Sequence, residues 1–129
     1  MTDASETDAT VSQSRASDEP TPEKPVRLED GEDLAAFVAE HDLVLVDLYT
    51  KGCTLCQAIE PVVGNVARAT EAAVGMLNPK NDLELVEEYD VRSVPTILLF
   101  ADGELVGRLA DGFQETEAVV AFVESRGKA

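Results

Sequence analysis

The chain has no tryptophan, a single histidine (His41) and only two cysteines (Cys53 and Cys56), and aromatic residues make up 5% of it. Two cysteines so close in sequence cannot tie distant segments together, so the fold must stand on its core. In a cytosolic chain such a pair is catalytic or metal-binding sooner than structural. A structural zinc site needs four ligands, and no second cysteine pair or nearby histidine supplies them. Lysine occurs only at positions 24, 51, 80 and 128, and 26 acids against 10 bases leave a net charge of −16. A surface this acidic repels phosphate backbones and anionic headgroups, which excludes nucleic acid and membrane surfaces as partners. No apolar run approaches the roughly 18 residues of a membrane span. The N-terminus lacks the basic and apolar regions of a secretory signal, so the expected compartment is the cytoplasm.

What is present fits one domain: 129 residues, 44% of them hydrophobic. The acid excess runs along the whole length, as in a halophilic protein kept soluble in concentrated salt. Residues 1–25 are rich in Ser, Thr, Asp, Glu and Ala and close on Pro20, Pro22 and Pro25. Such a segment buries too little to offset its ordering entropy, and is expected to be a disordered acidic tail ahead of a folded domain at 26–129.

Within that domain, Val26, Arg27 and Leu28 read as a short edge strand. Asp30 offers an N-cap, and Leu34, Phe37 and Val38 recur at helical spacing over residues 31–40, with His41 on the surface at the helix end. Residues 43–49 form a continuous apolar run of the length and β-branched content of a buried strand. Cys56, Ile59, Val62, Val63 and Val66 then mark one face of a helix over 53–70, which Pro61 is expected to kink. Further strands are expected at 73–77, 94–100 and 104–109, the last two joined by an Asp102-Gly103 hairpin turn. Helices are expected at 82–89, with Leu83 and Val86 inward, and at 116–125. Strands alternating with helices, then a hairpin, predict an α/β/α sandwich around a mixed sheet of five strands flanked by four helices.

The chemistry concentrates in residues 43–56. Cys53-Thr54-Leu55-Cys56 opens a helix directly after a buried strand. There Cys53 meets unpaired backbone N–H groups and the positive end of the helix dipole, which favour its thiolate and make it the nucleophile. Cys56, a turn further in and on the apolar face, is the less exposed thiol, suited to resolving a mixed disulfide. Asp47 interrupts the apolar strand. Burial without a partner is costly for a carboxylate and raises its pKa, which suits a proton acceptor for Cys56.

These pieces together resemble the thioredoxin family over about residues 26–125. V-L-V-D-L-Y looks like the family strand that carries a buried aspartate, and C-T-L-C stands at its redox pair. Pro61 matches the proline in its active-site helix, V-P-T-I-L-L-F the strand opened by a cis-proline, and D-G-E-L-V-G the hairpin that follows. The resemblance implies a protein-disulfide reductase with Cys53 as nucleophile, Cys56 as resolving thiol and Asp47 as buried base. Gly52, Thr54, Leu55, Val94 and Pro95 would form the substrate contact, with the Val94 backbone pairing to a bound peptide. No cofactor is implied beyond the redox-active Cys53–Cys56 disulfide. The partners implied are disulfide-bearing proteins and a thioredoxin-reductase-like electron donor, the chain acting as a monomer.

The departures are specific. Gly52 and Tyr49 stand where the family usually has tryptophan, Thr54-Leu55 replaces Gly-Pro, and Met76 replaces a lysine near the buried aspartate. Without that cation Asp47 is harder still to ionise. Two other readings stay open at this point. One is a non-catalytic binding module in which the dithiol is a redox-sensitive latch. The other is a metal or iron–sulfur module built between two copies through Cys53 and Cys56.

Overall fold

The computed structural model describes residues 21–127. The expected acidic tail lies outside the described residues up to position 20, and residues 21–25 carry no helix or strand. The ordered elements run β1 (Val26–Leu28), α1 (Gly31–Glu40), β2 (Leu43–Leu48), α2 (Thr54–Ala69), β3 (Ala73–Leu77), a 3₁₀ turn (Pro79–Asn81), α3 (Leu83–Glu88), β4 (Thr96–Ala101), β5 (Glu104–Leu109) and α4 (Thr116–Arg126).

The five strands form one sheet in the order β1-β3-β2-β4-β5. β3 pairs in parallel with both β1 and β2, whereas β4 runs antiparallel to β2 and to β5. The parallel part follows from the helical crossovers and the antiparallel part from the Asp102-Gly103 hairpin, whose two residues both have positive φ. The sheet is therefore mixed, as expected.

Period-two alternation sends successive strand residues to opposite faces. Leu45, Val74, Ile97 and Leu99 join Ile59, Val63 and Val66 of α2 and Val119, Phe122 and Val123 of α4 in one core. Val44, Val46, Leu48, Leu77, Leu98 and Phe100 pack on the opposite face with Leu34 and Phe37 of α1 and Leu85 of α3. A fully buried Val, Leu or Ile contributes about 1.5–3 kcal/mol, so these two layers hold the three-layer sandwich together. Gly75 marks how closely the second layer is packed. A Cβ there would sit 2.8 Å from Leu28 Cδ1 and 3.2 Å from Phe37 Cε2.

Local chemistry sets the helix starts. Asp30 caps α1 by accepting from the Asp33 N–H, an otherwise orphaned donor of the first turn, and the Asp33 carboxylate accepts from the Glu29 N–H just before the cap. α2 continues through Pro61 to Ala69. Pro61 has no N–H to give the Gln57 carbonyl, but Gln57 is exposed and its carbonyl can turn to water.

Three details differ from the sequence expectation. His41 is not on the surface. It caps the end of α1 and is 8% exposed, its ring set edge-on to Phe37 with centroids 5.1 Å apart. In α3, a helix of only six residues, the buried residue is Leu85, while Leu83 is 68% exposed and Val86 half-buried. Finally, β4 begins at Thr96, and Val94 and Pro95 lie in the bend before it. A proline lacks the donor a central strand needs there.

Candidate active site

The site begins where β2 leaves the sheet. Tyr49 N–H still donates to the Leu77 carbonyl at 3.1 Å, and the chain then turns through Thr50, Lys51 and Gly52. Gly52 takes φ = 78°, a left-handed conformation that a Cβ would penalise. That turn delivers Cys53 to the N-cap of α2 in extended conformation.

Cys53 and Cys56 are joined by a disulfide, with their Cα atoms 5.2 Å apart. The Cys56 N–H donates to Cys53 Sγ at 3.1 Å, so the sulfur occupies the place of a capping oxygen. The Gln57 N–H donates to the Cys53 carbonyl at 3.0 Å, closing the first turn beneath it. Cys53 is partly exposed, whereas Cys56 is 4% exposed on the buried face of α2. Thr54 and Leu55 between them face solvent, Leu55 with 47% of its surface open.

Asp47 lies on the sheet face that α2 covers and has no accessible surface. Among the described residues, nothing hydrogen-bonds to either of its carboxylate oxygens. Its pKa is pushed up to about 7, first by burial and then by the negative charge of Glu60 on α2. Its sheet neighbours, Met76 on β3 and Ile97 on β4, carry no charge to offset that.

Val94–Pro95 is a cis peptide, Pro95 buried and Val94 partly so. The Thr96 hydroxyl donates to the Ser93 carbonyl at 2.6 Å and closes the bend. Thr96 pairs with Leu48 across the β2–β4 ladder, so Pro95 stands at the sheet end from which the Cys53 loop departs. The register thus brings Asp47, Gly52, Cys53 and Pro95 to one end of the sheet.

Sequence reasoning missed three features of this region. Gly112, in the segment after β5, lies beside Leu55: a Cβ there would be in ordinary contact with Leu55 Cδ1, at 3.8 Å. The neighbouring Phe113 is 44% exposed. Glu60 and Arg27 were also missed, although the Cys56-to-Glu60 spacing of four residues places Glu60 one helical turn below the second thiol. No group of three or more His, Cys, Asp or Glu residues is placed to hold a metal among the described residues.

The thioredoxin family model matches residues 26–125. Thioredoxin from Chlamydia pneumoniae is 32% identical over 99 residues, covering 76% of this chain and 95% of its own length. A protein disulfide isomerase-like 1-4 protein from rice is 32% identical over 117 residues, 87% of this chain but only 20% of that longer protein. Among solved structures, a point mutant of thioredoxin from Halobacterium salinarum superposes with a TM-score of 0.79 at 36% identity, over 84% of this chain and 96% of that one. With the disulfide seated between the cap and first turn of α2 and the match spanning both layers of the sandwich, the chain belongs to the thioredoxin family and is a thiol–disulfide oxidoreductase.

Proposed function

We propose that the chain reduces protein disulfides with Cys53 as the attacking thiol, Cys56 as the resolving thiol and Asp47 as the proton acceptor. In the reduced protein the Cys53 thiolate attacks one sulfur of a substrate disulfide. A Cys53–substrate disulfide forms, and the other substrate sulfur leaves as a thiolate that takes a proton from water. Cys56 then gives its proton to the Asp47 carboxylate and attacks Cys53 Sγ. The second substrate sulfur departs, and the Cys53–Cys56 disulfide remains, two electrons having passed to the substrate. Asp47 suits its part because a carboxyl that titrates near 7 can both take and release a proton near neutral pH.

The observation that carries these roles is the Cys56 N–H bond to Cys53 Sγ at the head of α2. A donor fixed there stabilises the sulfur that must be anionic both to attack and to leave. The other sulfur is buried and reaches only what is already bound. Substrate would rest on Gly52, Thr54, Leu55, Val94 and Pro95, with the Val94 backbone pairing to the substrate chain. In this reading the domain spans 26–129 behind a disordered acidic tail at 1–25, and works as a cytoplasmic monomer. Its reductant is a thioredoxin-reductase-like donor, and no cofactor beyond the disulfide takes part. The uniform acid excess and the likeness to a Halobacterium thioredoxin support a halophilic setting.

Insulin-type disulfide reduction tests the roles. Cys53→Ser should abolish turnover, and Cys56→Ser should accumulate a mixed disulfide through Cys53. Full activity in Cys53→Ser would overturn the assignment.

A further inference from the structure

Across the sheet, Arg27, Met76, Asp47 and Ile97 stand in one row, directly paired strand to strand, so all four share the face covered by α2. The middle of the row has no charge but Asp47. Its cation is displaced to the edge strand, where Arg27 makes three contacts. One guanidinium nitrogen donates to the Tyr49 hydroxyl at 2.9 Å. The other lies 3.6 Å from Glu60 Oε2. The guanidinium carbon sits 5.8 Å from the centroid of the Tyr49 ring. One side chain thereby links β1, the segment leading to Cys53, and α2.

Arg27, Glu60 and Met76 also line an open groove of about 510 Å³, with Lys24 and Arg68 on its walls. In a chain with so few bases, three cations on one groove stand out. Among the described residues, the charged side chains that line this groove are Glu60 and Arg68 on α2, Arg27 on β1 and Lys24 just before it, whereas β3 and β4 set only Met76 and Ile97 beside Asp47 in the sheet. Arg27 and Glu60 are 61% and 49% exposed, so their ion pair by itself adds little to stability. Its effect lies elsewhere: Glu60 is the charge that acts on Asp47, and Arg27 is the charge set against Glu60.

We propose that Arg27 is a positioning residue: anchored on Tyr49, it holds and neutralises Glu60 at the mouth of this groove, and so sets how tightly Asp47 keeps its proton. On the dithiol reading above, it thereby sets the pH at which Cys56 is released to attack. Removing the cation exposes Asp47 to an unopposed Glu60, and the proton is held more tightly. Removing the anion leaves the cation unopposed, and the proton is held less tightly. The two changes act in opposite directions, which no loss of packing would produce.

The test is a titration of the Asp47 carboxyl carbon by NMR in the full-length oxidised protein, compared among wild type, Arg27→Ala, Arg27→Lys, Glu60→Gln and the double variant Arg27→Ala/Glu60→Gln. Arg27→Ala should raise the proton-binding constant of Asp47 about threefold or more, roughly half a pH unit, and Glu60→Gln should lower it by a similar factor. Arg27→Lys should lie between Arg27→Ala and wild type, since it keeps the charge but loses the fork that binds Glu60 and Tyr49 together. The double variant should return toward wild type, and both single shifts should shrink in molar salt. Shifts of the same sign, or none, would overturn the proposal. The titration requires no turnover, so a failure of this coupling is distinguishable from a failure of the reductase reading, which would appear as a wild-type protein that does not reduce disulfides. Where turnover is present, the pH midpoint for resolving the mixed disulfide should move with the carboxyl in each variant.

Discussion

Replacing Asp47 by Asn should make the folded protein more stable, and only above a certain pH. In the unfolded chain the carboxyl ionises near 3.8, and in the fold near 7, because it is buried without a partner and faces Glu60. Below 3.8 both states carry the proton and ionisation favours neither. Between 3.8 and 7 the unfolded chain has released its proton while the folded one retains it, so stability falls as pH rises. Above 7 the full cost is present. The separation is about three pH units at about 1.4 kcal/mol each, which gives an upper bound of about 4 kcal/mol. Asparagine has nearly the shape and polarity of the protonated acid but cannot ionise. Guanidinium unfolding of the oxidised proteins should therefore give nearly equal stabilities at about pH 4. Near pH 8.5 the Asn variant should lead by about 2–4 kcal/mol, with the slope against denaturant unchanged. A difference independent of pH, or a variant weaker than wild type in alkali, would refute the account of Asp47 as an uncompensated buried acid. The same variant should resolve mixed disulfides more slowly, because the strained acid is the one proposed to take the Cys56 proton.

Other outcomes follow from the same structure. Resolution by Cys56 in the wild type should slow as pH falls through about 7, where Asp47 becomes protonated, as measured by single-turnover release of substrate thiol. Equilibration of the Cys53–Cys56 pair with glutathione should place its potential at about −270 mV, and a value of about −120 to −180 mV would instead mark an oxidant or isomerase. Gly75→Ala should cost about 1–3 kcal/mol in thermal or denaturant unfolding, since its Cβ would meet Leu28 at 2.8 Å within a packed layer.

How much could be read in advance depended on how local the physics was. The two core layers were legible because the continuous apolar runs of β2 and β4 mark strands covered on both faces, and the Cys56–Ile59–Val63–Val66 spacing declares one face of a helix, each without reference to anything else. The cap at Asp30 and the turn at Asp102-Gly103 were legible for the same reason. His41 was misplaced because polarity at a helix end points to water, whereas the ring is buried edge-on against Phe37, one turn back. The inward residue of α3 was misplaced because Leu83, Leu85 and Val86 fit a six-residue helix in more than one rotation, and so short a pattern does not choose between them. The Arg27–Glu60–Tyr49 cluster had no local signature. Its members lie on three elements, and only the β1–β3–β2 register brings them around one aspartate.

That register, together with the distribution of acids, accounts for how an anionic dithiol works in so acidic a chain. An acid in the first turn of a helix is ordinarily favourable, by about 0.3–1 kcal/mol at low salt. α1 has Glu32 and Asp33 there, α3 has Glu84 and α4 has Glu117. α2, which begins at the cysteines, has none. An acid at its head would compete with sulfur for the same N–H groups and repel the thiolate proposed to form there. The first acid along α2 is Glu60, and it is the one that meets Arg27. Negative charge is thus kept from the N-terminal turn of α2, and at the next turn it is matched by a cation from the edge strand. The electrostatics of the pair are then left to the backbone donor on Cys53 Sγ and to Asp47 beneath α2.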